Sequence, residues 1–442
     1  MKNALDSLLE FLRFPSVSTD PKNNSDVRAC SDWLMKTLSE MGLGAERYET
    51  PGHPVVVAKN EHKKGRKNIL IYGHYDVQPV DPVNLWTTPP FEPSVRNKII
   101  YARGSADNKG QMLAHVMGVK ATLEKNKDLP VNLTFLFEGE EEIGSPNLRP
   151  FLEKHKAELP ADLVVISDTG MVGPGIPTLT YSLRGIACLE VLIKGPQMDL
   201  HSGVFGGALM NPLLAMARLM NSFHDLEGKV KVEGFYNNVK NVADWEKTNW
   251  KNLPNSDEEI KSLTGVKKLF GEPGYNSREH TWARPTLEFN GAGGGYLGAG
   301  SKTVIPSQVI LKISCRLVPD QKPAEILKAV EAHIKKHMPS EVSFEIIPGH
   351  SGSPYYVDPF SENGKAAQRA LHSTFHRETA FIREGGSIPI VQDFKEVLGA
   401  DTLLLGLSLP DCRAHSPDEN FPIENYEQGI LLNQHLLQEL AK

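Results

Sequence analysis

No run of apolar residues in this 442-residue chain approaches the roughly 20 needed to cross a bilayer. The first twenty residues carry Asp6, Glu10 and Arg13 in an amphipathic pattern, so no secretory leader is expected. Cysteine is scarce. Cys30, Cys188, Cys315 and Cys412 stand far apart with no C-x-x-C pair, and they read as reduced core or near-site thiols of a cytoplasmic protein. Positive charge is not in excess: 48 Lys and Arg face 54 Asp and Glu, a net charge of -6. With no basic stripe and no RNA-binding signature, a nucleic-acid partner is excluded, and neither internal repeats nor low-complexity tracts interrupt the chain.

What is present is an ordinary globular composition, 40% apolar and 23% charged, over a length that suits two domains, since single cores stop growing near about 250 to 300 residues. The chain is organised around Y-G-H-Y-D-V-Q-P at residues 72 to 79. The apolar run from Asn68 to Tyr72 predicts a buried strand, so that His74 and Asp76 leave a sheet at its carboxyl end, where open α/β sheets put their sites. Val131 to Phe137 runs likewise into Glu140, Glu141 and Glu142, and Leu163 to Ser167 into Asp168. Asp107 lies in R-G-S-A-D-N-K-G directly before a predicted helix, Gln111 to Leu123, and a predicted strand from Thr402 to Leu409 leads to His415. Two histidines and several carboxylates at strand ends suit a divalent cation, zinc most naturally.

Residues 3 to 13 and 26 to 41 carry helical spacing, Pro54 to Ala58 reads as a strand, and strands and helices then alternate, which predicts a mostly parallel sheet covered by helices. The character changes after Gly185. Strands at 186 to 193, near 286 to 290, at 308 to 319 and at 342 to 346, with helices at 211 to 223 and 323 to 337, give β-α-β-β-α-β, the ferredoxin-like order. Lys312, Ser314 and Arg316 fall on the face opposite Val309, Leu311, Ile313, Cys315 and Leu317. The α/β pattern returns after Pro354. The expected division is a discontinuous catalytic domain, 1 to 185 with 355 to 442, interrupted by a lid and dimerisation domain at 186 to 354. The weakly patterned stretch 225 to 285 is expected to elaborate the inserted domain.

Each motif has a bland alternative: H-x-D at a strand end is often polar decoration, and an acidic triplet is usually solvated. Their joint occurrence with Asp107, Asp168 and His415 completes a two-metal donor set. The glycine-rich run N-G-A-G-G-G-Y-L-G-A-G-S-K-T at 290 to 303 fails as a phosphate loop, because Ser301 breaks the G-K-[ST] spacing and a strand follows instead of a helix. His201 could be a core or capping histidine and Arg316 a solvated strand charge; pattern alone leaves both open.

G-H-Y-D-V-Q-P-V, A-R-G-S-A-D-N-K-G, F-E-G-E-E-E-I-G-S, Asp168, D-L-H-S-G-V-F-G-G and the late A-H-S-P-D-E together resemble the M20-type metallopeptidases, in particular the cytosolic dipeptidase and carnosinase-like branch. The resemblance covers nearly the whole chain. It implies two divalent ions, zinc with manganese or cobalt as alternatives, held by His74 and Asp168 at one position and by Glu142 and His415 at the other, with Asp107 between them. It further implies Glu141 as general base, Asp76 orienting Glu141 or His74, and His201, Asn290, Thr303, Arg316, Gly386 and Ser387 as substrate contacts. The expected reaction is hydrolysis of a dipeptide with a free carboxyl terminus by metal-activated water. An N-acyl or N-carbamoyl amino acid hydrolase on the same scaffold is the alternative. A homodimer in which His201 serves the neighbouring subunit, and no membrane or nucleic-acid partner, complete the expectation.

Overall fold

Asn68–His74 forms a strand buried from Ile69 onward, two residues longer than its apolar run suggests. Side chains alternate across a strand, so Ile69 and Ile71 meet Leu133, Phe135 and Val165 on one face, while Leu70 and Tyr72 meet Leu136, Val164 and Ile166 on the other. A sheet with two apolar faces must be covered twice. In this computed structural model, which describes residues 3–254, 257–386 and 388–442, the helices Ala4–Phe11, Asn24–Glu40, Lys109–Asn126, Glu362–Phe375 and Ile423–Leu440 cover the first face. Leu148–His155, Asp244–Trp250 and Pro389–Asp393 cover the second.

The large sheet runs Gly44–Tyr48, Val55–Lys59, Asn132–Glu138, Asn68–His74, Leu163–Ile166, Asp401–Leu404, Thr178–Leu183 and Tyr355–Tyr356, with Ala380–Glu384 alongside Thr178–Leu183. Its four central strands, Asn132–Glu138 to Asp401–Leu404, are mutually parallel, and Val55–Lys59 and Thr178–Leu183 flank them antiparallel. Parallel central strands bring the carboxyl ends of Asn68–His74, Asn132–Glu138 and Leu163–Ile166 to one edge. The strand expected to reach Leu409 stops at Leu404. Beyond it a Cβ on Gly406 would lie 2.5 Å from the Gly170 carbonyl oxygen, so the chain passes too close to a neighbouring backbone to continue the ladder there.

The second sheet is antiparallel throughout, in the order Thr286–Gly294, Gln308–Leu317, Gly185–Lys194, Ser343–Gly352, as the ferredoxin-like pattern requires. Helices Pro212–Phe223 and Pro323–His337 bury Ala215, Leu219, Ile326 and Val330 against Leu189, Val191, Leu311 and Ile313. The opposite face of the sheet keeps its polar residues, Lys312 and Arg316 among them. The stretch 225 to 285 does more than elaborate this unit. Val230, Val232 and Phe235 join the small core, whereas Val242, Trp250 and Ala283 join the core of the large sheet. There Glu246 accepts hydrogen bonds from Tyr181 and from Arg383 Nε, the latter at 2.8 Å, a buried ionic link from the stretch to two strands of the large sheet.

Candidate active site

The carboxyl edge of the large sheet gathers the side chains on which the sequence motifs converge. His74 is fully buried, and its Nδ1 donates to the Asp76 backbone oxygen at 3.1 Å. That bond fixes the proton on Nδ1 and turns the Nε2 lone pair outward, as a metal-binding imidazole needs. His74 Nε2 lies 3.2 Å from Asp107 Oδ1 and 3.7 Å from Asp168 Oδ2. The other oxygen of Asp107 lies 2.9 Å from His415 Nε2, which is 3.4 Å from Glu142 Oε2. Donor atoms of His74, Asp107 and Glu142 fall within 4.8 Å of one another.

Asp107 is presented by a loop whose backbone is tied to a residue far away in sequence. The Glu419 carboxylate, fully buried, accepts from the N–H groups of Gly104, Ala106 and Asp107 at 2.9 to 3.0 Å and from Arg103 Nη1 at 2.8 Å. The Asp107–Asn108 peptide bond is cis, and Asn108 Nδ2 donates to Asp168 Oδ1 at 2.7 Å and to the Ser167 carbonyl at 2.6 Å. Neighbouring residues of one loop therefore supply Asp107 and orient Asp168.

Asp76 settles how the glutamate triplet is used. Its two oxygens accept the N–H groups of Glu141 at 3.2 Å and Glu142 at 3.1 Å, and its Oδ1 lies 3.4 Å from His74 Nδ1. One buried carboxylate thus steadies both His74 and the glutamate turn. Glu140 is used differently: it accepts two bonds from Asn147 Nδ2, at 2.8 and 3.1 Å, next to Gly52 and away from the metal donors. Glu142 receives Gln78 Nε2 at 2.8 Å.

Burial, and then the negative charge of Asp168, Glu142 and Asp107, pushes Glu141 well above the usual carboxylate range despite the nearby His74. Burial likewise raises Glu142 and Asp168. Burial opposes charge on His74, yet the neighbouring Asp107 and Asp168 carboxylates lift it well above the ordinary imidazole value, and bonds to Asp107 and Glu142 lift His415 to about 10. Asp107 goes the other way, because the two histidines outweigh its burial. Burial together with carboxylates crowded around two imidazoles accounts for these shifts. The buried His74 Nε2 and Glu142 Oε1 also have no hydrogen-bond partner among the described residues. Open donors, mixed nitrogen and oxygen ligands and an acid-rich surround fit divalent cations.

The expected substrate contacts separate into three places. His201 and Thr303 are neighbours on the two-stranded ribbon Leu200–His201 and Val304–Ile305, where Ser202 N donates to the Thr303 carbonyl at 3.0 Å. His201 is exposed there, its Nδ1 accepting the Gly203 N–H at 2.9 Å. Arg316 and Asn290 line a cavity of about 710 Å³ on the polar face of the small sheet, together with Arg184 and Glu288. Gly386 follows the Ala380–Glu384 strand, whose neighbour Gly385 accepts Arg184 Nε at 3.2 Å. Ser387 lies outside the described residues. Sequence reasoning passed over Asn108, Gln78 and Glu419, although each stands inside a quoted motif; the motif shows the residue but not the distant partner that gives it a task.

A profile of Peptidase family M20/M25/M40 matches residues 70–439. The Cys-Gly metallodipeptidase DUG1 of Candida albicans is 33% identical over 447 residues, covering 96% of this chain and 92% of the relative. The Beta-Ala-His dipeptidase of Homo sapiens is 32% identical over 399 residues, covering 89% of this chain and 78% of the relative. Among solved structures, the M20 family metallo-carboxypeptidase Sso-CP2 from Sulfolobus solfataricus matches with a TM-score of 0.89 at 32% identity over 100% of both chains.

Proposed function

Since this chain belongs to peptidase family M20/M25/M40, we propose that it hydrolyses dipeptides bearing a free carboxyl terminus, with two divalent ions held at the carboxyl edge of its large sheet. The observation that carries this reading is Asp107, whose two oxygens face one histidine each, His74 at 3.2 Å and His415 at 2.9 Å. A carboxylate so placed between two imidazoles suits a bridge between two cations. His74 and Asp168 then complete one position and Glu142 and His415 the other. Zinc suits the mixed nitrogen and oxygen donors, and manganese or cobalt would be accepted by the same set. Bound there, the ions would acidify a water and polarise the scissile carbonyl.

The chain supplies the remaining chemistry. Glu141, held by Asp76 through its backbone, takes the proton of the attacking water and returns it to the leaving amine. Arg316 pairs with the terminal carboxylate of the substrate, with Asn290, Gly386 and Ser387 contacting the same substrate. The four cysteines form no disulfide, which supports a cytoplasmic setting. If Arg316 is the clamp, amidating the substrate's carboxyl terminus should lower kcat/KM of the wild type by about a hundredfold and that of Arg316→Ala hardly at all. Equal penalties in the two proteins would leave the arginine as a solvated strand charge, and absence of dipeptide turnover by metal-loaded wild type would overturn the proposal as a whole.

His201 and Thr303 belong, in this reading, to the site of a second subunit in a homodimer. Exposed apolar side chains flank them, with Met198, Val204 and Phe205 around His201 and Tyr296 and Leu297 in the loop before Thr303. Covering such residues is what a subunit interface does. Mixing His201→Ala with Glu141→Ala under subunit exchange should then restore about a quarter of wild-type activity, because about half the dimers are mixed and each carries one intact composite site. No recovery after verified exchange places His201 in its own chain's site.

A further inference from the structure

The chemistry above leaves His115 without a task, although it is a buried imidazole on the helix Lys109–Asn126 that directly follows Asp107 and Asn108. Its Nε2 lies 2.9 Å from Ser167 Oγ, and its Nδ1 meets Asn433 Oδ1. Asn433 comes from the last helix, Ile423–Leu440, which crosses Lys109–Asn126 at two glycines. A Cβ on Gly118 would stand 2.5 Å from Asn433 Cβ and one on Gly429 3.0 Å from Ala114 Cβ, so the crossing is close enough for Asn433 to reach the ring. Asn433 Nδ2 donates to the Gly429 carbonyl at 2.9 Å, which turns Oδ1 to the imidazole and assigns the ring proton to Nδ1. Nε2 is therefore an acceptor, and the Ser167 hydroxyl donates to it. Burial pushes the imidazole down to about 4, which keeps it in this neutral form. The relay from Asn433 through His115 ends on the residue before Asp168.

Resting on the reading of His74, Asp107 and Asp168 as metal donors, we propose that His115 is a positioning residue for Asp168: through the Ser167 hydroxyl it fixes the segment that carries Asp168 against the helix that follows Asp107. Ser167 is the first residue beyond the strand Leu163–Ile166. One helix grips it there twice. At the amino end of that helix Asn108 Nδ2 holds the Ser167 carbonyl and Asp168 Oδ1, at 2.6 and 2.7 Å, and further along His115 holds the Ser167 side chain. A single contact leaves the segment free to pivot, and a second one from the same rigid element removes that freedom. The placement matters because Asp107 and Asp168 both face His74 Nε2, at 3.2 and 3.7 Å, so a cation meets all three donors only when the two carboxylates keep their relative position. Partners one step behind metal ligands typically change affinity by about 10- to 100-fold. Asn433, which touches no donor, takes part by fixing which ring nitrogen accepts.

The test separates the two ring nitrogens. His115→Asn puts an amide where Nδ1 stands and keeps the bond to Asn433, whereas His115→Gln puts an amide oxygen where Nε2 stands and keeps the bond from Ser167. Zinc ion alone is titrated calorimetrically into metal-free wild type, both variants and Ser167→Ala. Each is also prepared with His415→Ala, which leaves chiefly the His74 and Asp168 position, and with His74→Ala, which leaves chiefly the other. His115→Asn and Ser167→Ala should weaken zinc about tenfold or more at the Asp168 position and leave the Glu142 and His415 position unchanged, while His115→Gln binds as wild type does. Joining His115→Asn to Ser167→Ala should cost no more than either alone, because both remove one bond. Equal losses in His115→Asn and His115→Gln, equal losses at the two positions, or unchanged affinity throughout make His115 a core histidine only and overturn the assignment. Should His115→Asn fail to fold, Ser167→Ala deletes the same bond without disturbing the helix crossing and decides alone. Wild type that binds two ions yet cleaves no dipeptide overturns the dipeptidase reading and leaves this assignment standing.

Discussion

Glu141→Gln should lower kcat by about three orders of magnitude while the protein keeps its full metal complement. The amide preserves the size of the side chain and the backbone bond to Asp76, so the glutamate turn and Glu142 stay in place. What is lost is the ability to take a proton. The neighbouring substitution is the control: Glu140→Gln alters a carboxylate clamped to Asn147, and should cost about 1 kcal/mol of stability with turnover near normal. Steady-state kinetics and elemental analysis on the two variants decide between them. A dead Glu140→Gln beside an active Glu141→Gln would move the base by one position.

Asp107→Ala should lose metal at both positions and fall to background activity, because one side chain faces both histidines. His74→Ala and His415→Ala should each weaken chiefly one position. The loss should also be visible in stability. A cation that binds only the folded chain adds about 4 kcal/mol at a thousandfold excess over its dissociation constant. Thermal unfolding of wild type should therefore rise markedly on adding metal, and that of Asp107→Ala should hardly respond. Full metal content in purified Asp107→Ala would remove it from the bridging position.

Much of this site was legible because strand ends are. A buried run that stops at a histidine or an acid places that residue at a sheet edge, and parallel strands place several such residues at the same edge; His74, Glu141, Glu142 and Asp168 follow from that rule. The ferredoxin-like order of the second sheet was legible for a similar reason, since an apolar residue recurs at every second position from Val309 to Leu317. Residues 225 to 285 were not, because their helices are short and their apolar residues divide between two cores, so no single period runs through them. Nor were the roles of Glu419 and Asn108. Each acts through a partner that only tertiary structure reveals: an acid that organises a loop and an acid on a solvated surface look alike as letters.

The Glu419 contact has a further consequence in the order of events during synthesis. The loop that carries Asp107 closes on a carboxylate 312 residues downstream. At about 5 to 20 residues per second a ribosome needs roughly a quarter of a minute to a minute to cover that interval. Through that time the nascent chain has His74, Glu142 and Asp168 but neither His415 nor the anchor of the Asp107 loop. Metal capture is accordingly a late event in synthesis, and a chain truncated before His415 should leave the ribosome without one metal donor and without the anchor of the Asp107 loop.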